Sequence, residues 1–160
     1  MFIFENQPHK MKEATIDYAL RATWQAVARM YNEEAKKFDS TMAVGFTLLS
    51  IDPKTGTPST ALGPKMGMEA TSLSRILKSM EQKGLILRKP NPNDGRGVLI
   101  YLTDFGLEKR NDSKSTVLQF NEAVINEVSD EKLKNFFEVT ETINKLIADK
   151  KLFIKDISNH

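Results

Sequence analysis

The stretch that decides the fold is ATSLSRILKSMEQKGLILRKPNPNDGRGVLIYL, residues 70–102. Its first part spaces apolar residues as on one face of a helix, at Leu73, Ile76, Leu77 and Met80. Gly84 ends that helix, and the apolar runs 85–89 and 98–102 each have the length of a β-strand. Proline, asparagine, aspartate and glycine fill the turn between the runs. The stretch therefore predicts a helix followed by a β-hairpin.

The residues just before this stretch add a second short helix. Residues 59–66 predict a helix capped by Ser59 or Thr60, and Gly67 permits a sharp turn before the helix at about residues 69–83. Two short helices joined by a glycine turn form a helix-turn-helix, whose second helix enters the major groove of DNA. With the hairpin, the pattern is typical of a winged helix-turn-helix that binds double-stranded DNA.

The polar face of the second helix and the hairpin supply the predicted DNA contacts. Hydroxyl groups and cations near a helix N-terminus suit bases and phosphates, and an arginine at a hairpin tip suits a narrow A·T-rich minor groove. The predicted contacts are Thr71, Ser72, Ser74, Arg75, Lys78, Ser79, Arg88, Asn93 and Arg96. Asp94 is predicted instead to support the wing by pairing with a neighbouring arginine or lysine. For the helix alone, an ordinary solvated surface is an equally good interpretation.

Charge is distributed unevenly along the chain. Residues 60–96 carry seven lysines and arginines against three carboxylates, whereas residues 1–59 are balanced and residues 97–160 are slightly acidic. A local basic patch is what phosphate binding requires. A basic solvated surface would give the same count, so the charge alone does not decide between the two interpretations.

Composition excludes several classes of function. The 160 residues are 40% apolar and 28% charged, which is typical of one globular domain. The chain has no cysteine and only two histidines, near its ends, so we expect no metal site and no cofactor. We found no nucleophile, phosphate-loop or paired-histidine pattern, and therefore expect no enzyme. Without a membrane span or signal peptide, a cytoplasmic protein is expected.

The rest of the chain predicts mostly helices. Helical patterns cover residues 11–38, 42–51, 103–128 and the region after a cap at 129–131, and residues 57–59 predict a short edge strand. Apolar residues near the chain ends could be covered by a second subunit or fold back on their own domain; they are Phe2, Phe4, Leu152, Phe153, Ile154 and Ile157. The predicted fold class is mainly α with a small β-hairpin wing.

Residues 71–106 resemble the signature of the MarR family of bacterial transcription regulators. The matching elements are the helix ending in Glu-x-Lys-Gly-Leu-Ile, the Asp-x-Arg wing and the Leu-Thr-x-x-Gly entry to the next helix. The resemblance implies a homodimeric repressor on a pseudo-palindromic operator. It assigns residues 39–102 to the DNA-binding lobe, and residues 1–38 and 103–160 to helical dimerisation.

The chain departs from the family pattern at two places. Gly97 follows Arg96 where a second arginine is common, so we expect a more flexible wing tip with a weaker phosphate grip. Gly63 and Pro64 interrupt the first helix of the motif, which predicts a helix that is distorted or begins only at Gly63.

The resemblance also implies a small aromatic or anionic effector in a cleft between the dimer helices and the DNA-binding lobe. Candidate lining residues are Arg21, Trp24, Tyr31, Met42 and Phe46. Plain core packing is the better interpretation of these residues, because aromatic side chains at helical spacing usually belong to a core. A winged helix that binds proteins rather than DNA is the alternative function, since fold does not fix function.

Overall fold

The computed structural model describes residues 15–153. Within them the chain forms six helices and three strands: α1 (Ile16–Lys36), α2 (Met42–Ser50), β1 (Thr57–Pro58), α3 (Ser59–Met66), α4 (Ala70–Gln82), β2 (Ile86–Asn91), β3 (Asp94–Leu102), α5 (Asp104–Glu127) and α6 (Asp130–Ala148). The predicted fold class, mainly α with a β-hairpin wing, is confirmed. The predictions for residues 11–14 and for Phe2, Phe4, Ile154 and Ile157 lie outside the described residues.

The three strands form one antiparallel sheet in the order β1-β3-β2. β2 and β3 are the predicted hairpin, and they run in register from the Ile86–Leu102 pair to the Pro90–Val98 pair. β1 pairs with β3 through Thr57 and Ile100, which confirms the predicted edge strand. Pro58 is tolerated there because an edge strand needs fewer backbone donors.

An apolar core joins α2, α3, α4 and the sheet. Its buried members are Leu48, Ile51, Leu62, Leu73, Leu77, Met80, Leu85, Ile86 and Ile100. Three of these come from the predicted apolar face of α4, so that face is turned into the core and the opposite face of the helix is left exposed.

The first helix of the motif covers the predicted residues 59–66 but differs from its prediction in how it starts. α3 begins at Ser59 rather than Gly63, and Pro58 occupies the N-cap position without a side-chain hydrogen bond, so neither Ser59 nor Thr60 is the cap. Pro64 lies inside the helix, where it lacks the backbone N–H that would otherwise bond to the preceding turn. Burial of Leu62 and Gly63 keeps the segment helical despite this loss.

The caps of the longer helices follow their predictions in part. The hydroxyl of Thr41 accepts the Val44 N–H at 3.2 Å at the start of α2, and that of Thr103 accepts the Gly106 N–H at 2.9 Å at the start of α5. Ser129 stands at the predicted N-cap position of α6. Its side chain makes no capping hydrogen bond there, so the predicted capping interaction was wrong.

The chain divides into two compact units, up to Thr116 and from Val117 onward. The first holds the sheet, α1 to α4 and the start of α5. The second holds the rest of α5 and all of α6, a helix in which no residue is buried. Phe136 and Phe137 on α6 are 54% and 63% exposed, with ring centroids 5.4 Å apart.

Candidate nucleic-acid interface

The outward face of α4 carries most of the predicted reading residues. Leu73, Leu77 and Met80 bury one side of this helix. The other side exposes Thr71, Ser72, Ser74, Arg75 and Lys78, whereas Ser79 is half-buried. The core contact thus fixes the helix while its hydroxyl groups and cations remain accessible to a ligand.

The N-terminus of α4 leaves backbone donors near these side chains. Glu69 occupies the N-cap position but makes no side-chain capping bond. The first amides of a helix have no intrahelical acceptor, and the helix dipole makes this end partly positive. Thr71 and Ser72 lie in this first turn, where an anionic oxygen would meet both N–H and O–H donors.

Two side chains shape the tip of the wing by binding backbone amides. Asn91 Oδ1 accepts the Asn93 N–H at 3.0 Å, and Asp94 Oδ1 accepts the Arg96 N–H at 3.1 Å. The predicted partner of Asp94 was a neighbouring arginine or lysine side chain, whereas the recorded partner is a main-chain amide. Asp94 therefore holds the backbone of Arg96, whose own side chain is exposed.

Gly97 has a steric reason to be a glycine. A Cβ at this position would lie 2.9 Å from Asp94 Oδ2 and 3.3 Å from the Asn91 Cβ. A larger residue would displace the carboxylate that binds the Arg96 amide. Position 97 therefore carries glycine rather than a second arginine where the Asp94 carboxylate that holds the wing tip needs the space.

Arg88 lies in a different setting from the other predicted contacts. Its Nε is 3.0 Å from Oε2 of Glu81, so an ion pair joins β2 to the last turn of α4. Sequence reasoning included Arg88 among the DNA contacts but missed Glu81. The sequence offered one signal for this pair, because Glu81 and Arg88 carry opposite charges on either side of Gly84, which ends the helix.

Hydrogen bonds hold the base of the hairpin against the adjoining helices. The Thr103 hydroxyl donates to the Gly84 carbonyl at 2.6 Å, and the Thr103 N–H donates to the Leu85 carbonyl at 3.1 Å. Lys83 Nζ donates to the Asp39 carbonyl at 3.1 Å, at the corner after α1. The end of α4 is therefore hydrogen-bonded to the corner after α1, and the residues that follow it are hydrogen-bonded to the start of α5.

Comparison with known proteins identifies the family. Residues 41–98 match the MarR family model. The chain is 31% identical over 118 residues to the organic hydroperoxide resistance transcriptional regulator of Bacillus subtilis (strain 168), an alignment covering 71% of this chain and 80% of that protein. The protein belongs to the MarR family. The predicted membership of this family is thereby confirmed.

Alignments with two other known regulators are shorter. The uncharacterized HTH-type transcriptional regulator YdgJ of Bacillus subtilis (strain 168) is 32% identical over 78 residues, which are 49% of this chain and 48% of that protein. The multiple antibiotic resistance protein MarR of Escherichia coli (strain K12) is 36% identical over 78 residues, which are 49% of this chain and 54% of that protein. The chain thus spans about half the length of these two relatives.

Solved structures show the same MarR-type fold. The Staphylococcus aureus MepR–DNA complex matches with a TM-score of 0.76 at 22% identity, covering 84% of this chain and 99% of that one. A mutant of Escherichia coli MarR complexed with operator DNA matches with a TM-score of 0.71 at 23% identity, covering 80% and 92%. At these identities the comparison establishes the fold of this MarR-family member.

The candidate effector residues of this MarR-family chain are only partly brought together. The Phe46 ring packs edge-on against Tyr31, with centroids 5.7 Å apart, and lies 6.5 Å from that of Trp24. The guanidinium of Arg21 instead lies over the Tyr18 ring, at 5.8 Å from its centroid. The Met42 N–H donates to Asn32 Oδ1 at 3.0 Å.

Burial differs between the two ends of this aromatic cluster. Tyr31 is buried, and desolvation raises the pKa of its phenol above the ordinary value. Trp24 is 53% exposed. Tyr31 thus has the burial expected of a core residue, whereas Trp24 is accessible to solvent.

Two further properties bear on what the described residues can bind. Among residues 15–153, no group of three or more histidine, cysteine, aspartate or glutamate side chains could hold a metal ion. No helix in the same part of the chain has the length and apolar character needed to cross a membrane.

Proposed function

We propose that this protein is a sequence-specific regulator of transcription that binds double-stranded DNA. The observation that carries the proposal is the row of exposed side chains on α4, which includes Thr71, Arg75 and Lys78, next to a wing with Arg96 exposed at its tip. A helix with hydroxyl groups and cations on its free face suits the donors and acceptors of the major groove.

The wing supplies the second contact in this proposal. Arg96 lies close to the hairpin tip, and its backbone is held by Asp94. A guanidinium inserted into a narrow minor groove meets an enhanced negative potential. The solved MepR–DNA and MarR–operator complexes, which share this fold, support such a ligand for the present chain.

We further propose a homodimer on a pseudo-palindromic operator. Residues 39–102 would bind DNA, and residues 1–38 and 103–160 would form the helical dimerisation region. Exposed apolar side chains on α1 and α6 support this division, since soluble monomers rarely leave such surfaces uncovered. These side chains are Ile16, Leu20, Trp24, Phe136, Phe137, Val139 and Ile147.

Repression with release by an effector completes the proposal. A dimer seated on an operator blocks transcription, and a small aromatic or anionic molecule near Trp24 and Phe46 would change the spacing of its two DNA-binding lobes. The structure of Streptomyces coelicolor PcaV in complex with its natural ligand matches this chain with a TM-score of 0.71 and supports such a role. A regulator of chromosomal genes in a bacterium acts in the cytoplasm.

The experiment is a selection of bound fragments from genomic DNA of the source organism, followed by a salt titration on the recovered duplex. We expect a recovered palindrome and an affinity that falls steeply with salt, because bound phosphates release counterions. Arg96→Ala should weaken binding about tenfold, the loss expected for an arginine that contacts DNA. Lys132→Ala, which removes an exposed cation from α6, is the matched control and should have little effect.

Two results would contradict this function. Failure to bind any duplex at low salt would favour the alternative, a winged helix that binds proteins. Recovery of fragments without a shared sequence, bound equally by wild type and Arg96→Ala, would leave only nonspecific adhesion to DNA.

A further inference from the structure

The ion pair between Glu81 and Arg88 connects the two parts of the candidate interface. Glu81 stands in the last turn of α4, and Arg88 is the third residue of β2. Their side chains are 45% and 34% exposed, and Arg88 uses its Nε for the contact at 3.0 Å. This ion pair restrains the side chain of Arg88 beside the carboxylate, and the guanidinium has five N–H donors with which to bind a second acceptor.

Arg88 also lines a shallow cavity of about 330 Å³ on the wing. Lys89, Pro90, Arg96 and Val98 line the same cavity. Arg88 and Arg96 are the cations of this lining that matter here, because Lys89 follows Arg88 in an extended strand and its side chain leaves the opposite face. Such a concentration of positive charge suits a phosphate-type anion.

Arg88 and Lys89 are each positioned by a neighbouring side chain. Lys89 Nζ lies 5.1 Å from the centroid of the Tyr101 ring, a cation–π contact. Arg88 is held by Glu81. A long side chain that is already ordered loses less conformational entropy when it binds a ligand.

We propose that Glu81 is a positioning residue, which orients Arg88 so that the wing cavity receives one backbone phosphate of the bound DNA. This rests on the proposed function, because the phosphate belongs to the duplex. Glu81 adds a negative charge beside the wing, yet it strengthens binding by presenting the guanidinium of Arg88 to the phosphate. Arg88 supplies the charge, and Glu81 supplies its orientation.

The test compares Glu81→Gln, Arg88→Lys and Arg88→Ala with wild type on a random-sequence duplex over a range of KCl concentrations. Arg88→Ala should bind about tenfold more weakly, and the slope of log affinity against log salt should fall in magnitude by about 0.9, the value for one lost phosphate contact. Arg88→Lys should keep the slope but lose affinity, because an ammonium lacks the fork that binds both partners.

Glu81→Gln is the decisive variant. We expect about threefold weaker binding with an unchanged salt slope, since it removes the orientation of Arg88 and leaves the cation in place. Glu122→Gln, which neutralises an exposed carboxylate on α5, is the matched control and should bind as wild type. Thermal unfolding of each variant checks that the fold is intact. Glu81→Gln should have no further effect on binding when Arg88 is already alanine, a readout that mere structural support by Glu81 would not give.

Specific results would overturn the proposal. Tighter binding by Glu81→Gln would mean that the carboxylate competes with the phosphate. An unchanged salt slope for Arg88→Ala would mean that Arg88 meets no phosphate. Either result, with wild type still bound to DNA, contradicts this proposal alone, whereas a wild type that binds no duplex at low salt contradicts the proposed function as well.

Discussion

The backbone of Gly106 lies directly against the carbonyl group of Leu85, leaving no room for a Cβ. This contact seats the first turn of α5 on the segment that leads from α4 into β2. The Thr103 N–H donates to the same Leu85 carbonyl at 3.1 Å. Main-chain contacts thus join the beginning of α5 to the start of the wing at Leu85. They leave no space for a side chain at position 106.

Gly106→Ala should therefore lower the free energy of unfolding by about 3 kcal/mol or more, because a rigid backbone must shift to admit the methyl group. Chemical denaturation measures the change. Gly95→Ala, which places a Cβ where no atom lies within 4 Å, is the control and should be nearly neutral. Equal stability of the two variants would show that the α5 junction adjusts freely.

The hydroxyl of Thr103 makes two hydrogen bonds at this junction, donating to the Gly84 carbonyl at 2.6 Å and accepting the Gly106 N–H at 2.9 Å. Thr103→Val keeps the shape and removes both bonds. We expect a loss of about 1–2 kcal/mol in unfolding free energy, the range for a helix cap. Thr142→Val, which removes an exposed hydroxyl inside α6, should cost much less; a comparable cost would argue against the cap.

The wing tip offers a test of coupling between Gly97 and Asp94. Gly97→Ala should weaken duplex binding about fivefold, because the new Cβ displaces the carboxylate that holds the Arg96 amide; a shift of this size corresponds to about 1 kcal/mol. Asp94→Ala should weaken binding similarly, and the double variant should lose less than the sum of the two. Strict additivity, measured by fluorescence anisotropy, would mean that the two residues act independently.

Tyr31 predicts a change in stability at high pH. Burial raises the pKa of this phenol above its usual 10.0, so above pH 10 the unfolded chain ionises while the folded chain keeps its proton. The unfolded state then binds fewer protons, and the unfolding free energy falls as pH rises through that range. Tyr31→Phe should flatten the fall between about pH 9.5 and 11. Tyr18→Phe, at a side chain 53% exposed, is the control; identical pH profiles for Tyr31→Phe and wild type would contradict the role of burial.

Local patterns in the sequence were sufficient to predict the helix and the strands that form the interface. The helical spacing of Leu73, Leu77 and Met80, with a glycine stop and two apolar runs after it, predicted α4 and the hairpin because these signals act over a few residues. MarR-family membership followed from the same stretch. Residues 59–66 form α3 as predicted, whereas the predicted cap at Ser59 or Thr60 and the alternative start at Gly63 were wrong; burial of Leu62 outweighs the local effect of Pro64.

Contacts between elements were harder to predict. The pair formed by Glu81 and Arg88 depends on how the end of α4 faces the third residue of β2, which sequence spacing alone does not specify. Asp94 presented a related difficulty, because a carboxylate in a turn can bind a cation or a backbone amide with similar ease, and here the recorded partner is the Arg96 amide. Which base or phosphate each exposed residue meets stays a prediction.

The most direct measurement of the central claim exchanges A·T pairs for I·C pairs in a selected operator, one position at a time. This exchange changes the major-groove pattern of a base pair and preserves its minor-groove pattern. We predict that the exchange lowers affinity at the positions under α4 and leaves it unchanged at the flanking positions under the wing. The contribution of those flanking positions should be lost only when the protein carries Arg96→Ala. Loss at the flanking positions, or retention under α4, would contradict the assignment of helix and wing to their grooves.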